Sequence, residues 1–194
     1  MRSSTSISEV GAAHGKLAGM AVVPVSEYLN TRYRPDVEYV DGALLRRGAR
    51  TGLSSIFHAL LAEYFRRQRK SFGYVVYTEP RTEIVPGARY RLPDVMLAPL
   101  PAIAGRVIHR TPWAVVEIQS PDDKSRDQWR RFQDYLSIGV PHVILLDPEE
   151  SLAFRCQPHA LVEAALTGLE LPTGRLPFDT ASLFRQLAEE LSES

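Results

Sequence analysis

Apolar residues along the chain fall into two periods, and the periods separate helices from strands. Leu53, Ile56, Phe57, Leu60, Leu61, Tyr64 and Phe65 recur at i, i+3, i+4, i+7, i+8, i+11 and i+12. That spacing predicts one long amphipathic helix. It ends in the basic run Arg66-Arg67-Gln68-Arg69-Lys70, whose charges complement the negative end of the helix dipole. Residues 125–137 repeat the pattern with Trp129, Phe132 and Leu136 on one face, and Gly139-Val140-Pro141 stops it. A terminal helix is predicted over Thr180–Leu191, capped by Asp179 or Thr180, and a short helical turn over Val25–Leu29 with Ser26 as a candidate cap.

Between these lie shorter runs of strand character. Val37–Leu45 reads as a hairpin with Asp41-Gly42 at its turn. Tyr74–Glu79, Thr82–Val85 and Tyr90–Ala98 are rich in β-branched and aromatic residues, with Pro86-Gly87 as a turn. Trp113–Gln119 and His142–Asp147 have the length of buried strands, and Leu152–Cys156 with Leu161–Ala165 reads as a late hairpin. Pro99 to Thr111 reads as irregular, and the Ser/Gly/Ala-rich residues 1–19 as a mobile leader. The strand–helix–strand unit at 113–147 predicts a right-handed crossover. The order predicts one α/β domain over residues 20–194, with a mixed, curved sheet flanked by helices.

Composition narrows the function. A chain of 194 residues suits a single domain, and 23 basic against 23 acidic residues exclude an affinity for nucleic acid that comes from overall charge. Contact with DNA or RNA must come from a local basic surface. Only Lys16, Lys70 and Lys124 among the 23 basic residues are lysine, and arginine forks suit phosphate. A single cysteine, Cys156, excludes an internal disulfide and a cysteine-cluster metal site. No apolar run reaches the roughly 18 residues of a membrane span, and residues 1–19 lack the apolar core of a signal peptide, so a cytoplasmic protein without membrane contact is expected.

Two carboxylates stand where they are costly. Glu117 lies among Val115, Val116 and Ile118, and Asp94 follows Pro93 within the strand read over Arg91–Leu97. Alternation turns Glu117 and Gln119 to one face and Val116 and Ile118 to the other. Glu38 is a third acidic candidate, just before the Asp41-Gly42 turn. Carboxylate oxygens with a backbone carbonyl suit a hard cation such as Mg²⁺. Asp94 also suits a turn residue after proline, and Glu117 a partner for a core arginine. Asp127, Arg131 and Tyr135 recur at i, i+4, i+8 on the crossover helix, which starts directly after the strand carrying Glu117. They read either as a stripe overhanging the carboxylates or as an ordinary solvated face. The runs Arg46-Arg47-Gly48-Ala49-Arg50 and Arg66–Lys70 read likewise as phosphate contacts or as solvated faces. The histidines show no i, i+4 pair that would indicate zinc.

Leu92-Pro93-Asp94-Val95 followed by Val115-Val116-Glu117-Ile118-Gln119-Ser120-Pro121 resembles the divided motif of the PD-(D/E)xK nucleases. More narrowly, the chain resembles the Uma-two family of restriction-type endonucleases over about residues 22–190. Val37–Gly42, the helix with His58, Asp127 through Arg131 to Tyr135 leading into Gly139-Val140-Pro141, and Ile144–Pro148 follow in that family's order. The resemblance implies a restriction endonuclease-like fold. It implies Asp94, Glu117 and the Ile118 carbonyl as ligands of Mg²⁺, with Mn²⁺ able to substitute, and Glu38 facing the same site. It implies in-line attack of an ion-activated water on a DNA phosphodiester, with His58 on the neighbouring helix serving packing or a hydrogen bond. Two positions depart from the pattern. The superfamily lysine would stand at Gln119, and this family's shifted lysine at Arg131. Arginine stays protonated, so Arg131 can contact the scissile phosphate or stabilise charge but cannot act as a base. Gln119 can orient a water, and Lys124 is close enough in sequence to substitute. The alternative is therefore a weakened or silent nuclease fold that binds DNA as a regulatory module. Two cuts in a duplex would suit a homodimer.

Overall fold

The computed structural model describes residues 22–48, 50–100, 105–121 and 125–193. The leader read over residues 1–19 and the candidate Lys124 lie outside them. Chain order is α1 (Val25–Asn30), β1 (Glu38–Val40), β2 (Ala43–Leu45), α2 (Gly52–Phe72), β3 (Tyr74–Thr78), β4 (Arg81–Val85), β5 (Arg89–Arg91), β6 (Val95–Pro99) and β7 (Val107–Ile108). It continues with β8 (Ala114–Ile118), α3 (Ser125–Ser137), β9 (Val143–Asp147), β10 (Leu152–Gln157), β11 (Ala160–Glu163), β12 (Gly168–Leu171), β13 (Gly174–Pro177) and α4 (Thr180–Ser192). Among the described residues no helix is long and apolar enough to cross a membrane.

The expected mixed sheet is the six-stranded one, ordered β11-β10-β9-β8-β6-β3. Within it β8 and β9 run parallel, joined through α3, and the other pairings are antiparallel. Alternation along its central strands gives it two buried faces. Val95, Leu97, Val116, Ile118, Ile144 and Leu146 pack with Phe57, Leu61 and Phe65 of α2 and Leu183, Phe184 and Leu187 of α4. Met96, Ala98, Val115, Val143 and Leu145 pack on the opposite face with Phe132 and Tyr135 of α3. The result is a sheet sandwiched between helical layers.

Local contacts fix the ends of the helices and the first hairpin. The Thr51 side chain accepts from the Ser54 N–H at the start of α2, and Gly73 takes a left-handed φ of 67° at its end, its N–H reaching the Arg69 carbonyl. Asp41 and Gly42, at φ 50° and 90°, turn the β1–β2 hairpin, and Asp179 caps α4. Ser26 does not cap α1, because Pro24 holds the N-cap position and Ser26 lies one residue inside the helix.

The largest departure is at Tyr90–Ala98, read as one strand. It is two, β5 and β6, and they belong to different sheets. Pro93 has no N–H for a ladder, so the backbone leaves one sheet at Arg91 and enters the other at Val95. β5 joins a second sheet, β2-β1-β5-β4-β7, whose short β7 falls within the stretch read as irregular. Its core is Tyr28, Val37, Tyr39, Tyr90 and Val107. Arg81 stacks over Tyr28 at 4.4 Å and bonds Asp36, the Tyr28 carbonyl and the Thr31 carbonyl, which fastens α1 to this sheet. A separate hairpin, β12-β13, completes the strands.

Candidate functional site

The break between the two sheets creates the site. Asp94 stands at the bend entering β6, and Glu117 sits in β8, beside it in the sheet. Side-chain alternation turns Glu117 toward α3, opposite the face of Val116 and Ile118. Asp94 is 2% exposed and Glu117 1%. The Ile118 N–H donates to Asp94 Oδ2 at 2.8 Å, so the strand end that carries Glu117 fixes the Asp94 carboxylate. The Tyr135 hydroxyl of α3 donates to Glu117 Oε1 at 2.8 Å.

Both carboxylates converge on one guanidinium. Arg47 Nη1 lies 2.9 Å from Asp94 Oδ1, and its Nη2 lies 3.1 Å from Asp94 Oδ2 and 2.8 Å from Glu117 Oε2. Arg47 also donates to the Leu92 carbonyl at 2.5 Å. Arg50 adds a second positive charge, with Nη2 2.8 Å from Asp94 Oδ1 and 2.8 Å from Glu79 Oε1. Its Nη1 lies 2.6 Å from His58 Nδ1, and His58 Nε2 lies 2.8 Å from the Asp94 carbonyl oxygen. Because Arg50 can only donate, the network assigns His58 the neutral tautomer with its proton on Nε2. His58 is thus a hydrogen-bonding support for the Asp94 backbone.

Burial disfavours both charges, and the surroundings then separate the two carboxyls. At Asp94 the Arg47 guanidinium, the Ile118 N–H and Arg50 overcome desolvation and hold the group well below the usual carboxylate range. At Glu117 desolvation dominates. Arg47 opposes it and Asp94 reinforces it, and the carboxyl is pushed up to about 7. Arg131 and the Tyr135 hydroxyl also favour the charged form of Glu117.

The remaining candidates are distributed around this pair. Glu38 is buried, but its Oε2 pairs with Arg91 Nη1 at 2.6 Å and its Oε1 accepts from the Leu92 N–H at 3.3 Å. Arg91 in turn pairs with Asp134 of α3 at 2.6 Å. Gln119 lies just past β8, where its Oε1 accepts from Gln128 Nε2 at 2.8 Å and its Nε2 donates to the Ser120 carbonyl at 3.1 Å. Arg131 is buried, and its charge acts on Glu117 and Tyr135. The stripe expected along α3 separates: Arg131 and Tyr135 face inward, while Asp127 is exposed and pairs with Arg130 at 3.4 Å.

The sequence reading missed Arg47 as the partner of both carboxylates. The basic run after the β1–β2 hairpin was its visible signal. That run reads equally as a loop awaiting phosphate, because nothing local indicates that it folds back across the sheet.

Asp94, Ile118, Arg46, Arg47 and Arg50 line a cavity of about 530 Å³. The donor set beneath it has the chemistry of a hard-cation site. It offers two carboxylates and a strand-end carbonyl, with no group of three acidic, histidine or cysteine side chains gathered among the described residues. That set suits Mg²⁺, which keeps several waters, and does not suit zinc. Asp94 and Glu117 could hold such a hard ion, and the Arg47 guanidinium supplies positive charge to both carboxylates.

Comparison with known proteins places the chain in a family. Residues 25–182 match Uma2, described as "Putative restriction endonuclease". A crystal structure from Anabaena variabilis ATCC 29413, of a "putative nuclease belonging to DUF820", superposes with a TM-score of 0.70 at 19% identity. The match covers 85% of this chain and 99% of that one, and it establishes the shared fold. A cryo-EM structure of the DrdV–DNA complex matches at a TM-score of 0.34 and 20% identity, over 70% of this chain and 11% of that one. Comparison with curated proteins gave no match. The family match spans well over half of the chain, so the chain belongs to the Uma2 family.

Proposed function

We propose that this Uma2-family protein is an endonuclease that hydrolyses DNA phosphodiester bonds with Mg²⁺ or Mn²⁺, held by Asp94, Glu117 and the Ile118 carbonyl. The observation that carries this reading is the convergence of two buried carboxylates on one cationic position in the wall of an arginine-lined cavity. The family description and the DUF820 relative support a nuclease in general terms. A bound Mg²⁺ would stabilise charge on a phosphate in transfer and lower the pKa of a water.

The chain's own residues do the rest. The Ile118 N–H and the Tyr135 hydroxyl aim the two carboxylates. Arg46 lines the cavity with a fork suited to phosphate oxygens, and Arg50, held by His58, Glu79 and Asp94, adds positive charge. An adjoining cavity of about 310 Å³ carries Arg32, Arg34 and Arg106, and both cavities include Asp36 and Glu79 in their walls. A polyanion crossing the site therefore meets arginines beyond the carboxylate pair. Arg131 supplies fixed positive charge near Glu117 and no proton transfer.

One observation favours a second reading, a nuclease fold that binds DNA without cutting it. The positions implied for the lysine hold Gln119 and Arg131, and the Gln119 amide is engaged by Gln128 and Ser120. Nicking of supercoiled plasmid separates the two. Cleavage that needs Mg²⁺ or Mn²⁺, stops in EDTA and disappears in Glu117→Gln is the expected result. Metal-independent DNA binding without nicking, retained in Glu117→Gln, selects the silent module.

A further inference from the structure

We infer that Arg47 is the resident counter-ion of the carboxylate pair, and that a divalent cation binds there only by displacing it. The inference rests on the proposed ion site and adds a step that precedes it. Three observations carry it.

The first is geometric. Both Nη atoms of Arg47 already lie 2.8–3.1 Å from the carboxylate oxygens that would be ligands. An ion such as Mg²⁺ needs those oxygens at about 2.0–2.1 Å, so it and the guanidinium cannot share the oxygens' inward side. The second is electrostatic. Asp94 and Glu117 are balanced by Arg47 and Arg50, the latter shared with Glu79, and Arg131 adds further positive charge near Glu117. A further double positive charge at contact distance, in a site 1–2% exposed, would be an uncompensated buried charge. The third is room. Arg47 follows β2 on a loop, retains 15% side-chain exposure, and lines the cavity of about 530 Å³ into which it can swing. The guanidinium thus offsets the burial of two carboxylates, and its withdrawal opens the ion site.

The test is Mn²⁺ binding by calorimetry to EDTA-stripped wild type, Arg47→Gln and Glu117→Gln. Arg47→Gln should bind Mn²⁺ at least about tenfold more tightly than wild type, as expected when a competitor worth ~1.4 kcal/mol or more is removed. In urea denaturation Arg47→Gln should be less stable than wild type in EDTA and regain stability in Mn²⁺. Wild type provides a readout that needs no variant: saturating Mn²⁺ should accelerate tryptic cleavage after Arg47, followed by mass spectrometry. Equal Mn²⁺ affinity in wild type and Arg47→Gln, lost in Glu117→Gln, would overturn the competition and leave the ion site standing. Failure of both proteins to bind Mn²⁺ would overturn the inference and the ion site together. Unchanged tryptic protection at saturating Mn²⁺ would also overturn the displacement.

Discussion

Asp94 and Glu117 touch the same guanidinium yet are pushed in opposite directions, because Asp94 has Arg50 and a backbone N–H in addition and Glu117 is ruled by burial. Both residues could be read from the sequence, since a carboxylate inside an apolar strand is costly without a partner. Their partner could not. Arg47 lies 47 residues from Asp94 and 70 from Glu117, and only the path of the loop after β2 brings them together. His58 was readable as a hydrogen-bonding residue, but its assignment to the Asp94 carbonyl depends on the bend at Pro93. Cys156 gives a direct check on burial at this scale. It is 7% exposed, and desolvation, helped by the negative charge of Glu117, raises its thiol from 9.0 to about 12. Native protein should therefore resist a thiol reagent such as DTNB at pH 8 and react fully in urea. A thiol held neutral by folding contributes stability that is fully present below pH 9.0 and lost as pH rises toward 12. Full, rapid native labelling at pH 8 would contradict the buried placement.

The elements themselves were largely legible, because their signals are local. The period of α2, the Asp41-Gly42 turn and the span of α3 depend on residues within a few positions of each other. The division of Tyr90–Ala98 into β5 and β6 depends on which sheet each half joins, and period alone carries no such information. The same division brings Arg89 and Arg91 of β5 against Asp134 of α3, with Glu38 of β1 on the far side of Arg91. Glu38 thus answers to Arg91, and the cluster links the second sheet to α3. Removing its centre should leave Arg91 with Glu38 alone and Arg89 with Asp41 alone. Asp134→Ala should cost about 1.5–3 kcal/mol in urea denaturation, while the exposed Asp127→Ala should stay within about 0.5 kcal/mol. Equal effects from the two would show that the cluster does not hold the sheet to the helix.

Across the whole molecule, a chain with equal numbers of acidic and basic residues still concentrates arginine around one pair of cavities. The two sheets diverge at Pro93, and the carboxylate pair lies where they part. Helices cover the six-stranded sheet on both faces, and Asp94 and Glu117 lie near the start of β6 and the end of β8. The proposed hard-cation site comprises Asp94, Glu117 and the Ile118 carbonyl, with the Arg47 guanidinium bridging the two carboxylates. Anomalous diffraction from crystals soaked in Mn²⁺ tests this most directly. The account predicts a peak within coordination distance of all three oxygen donors, with the Arg47 guanidinium withdrawn into the cavity. An ordered site at saturating Mn²⁺ with no such peak, and with Arg47 still bridging the two carboxylates, would contradict it.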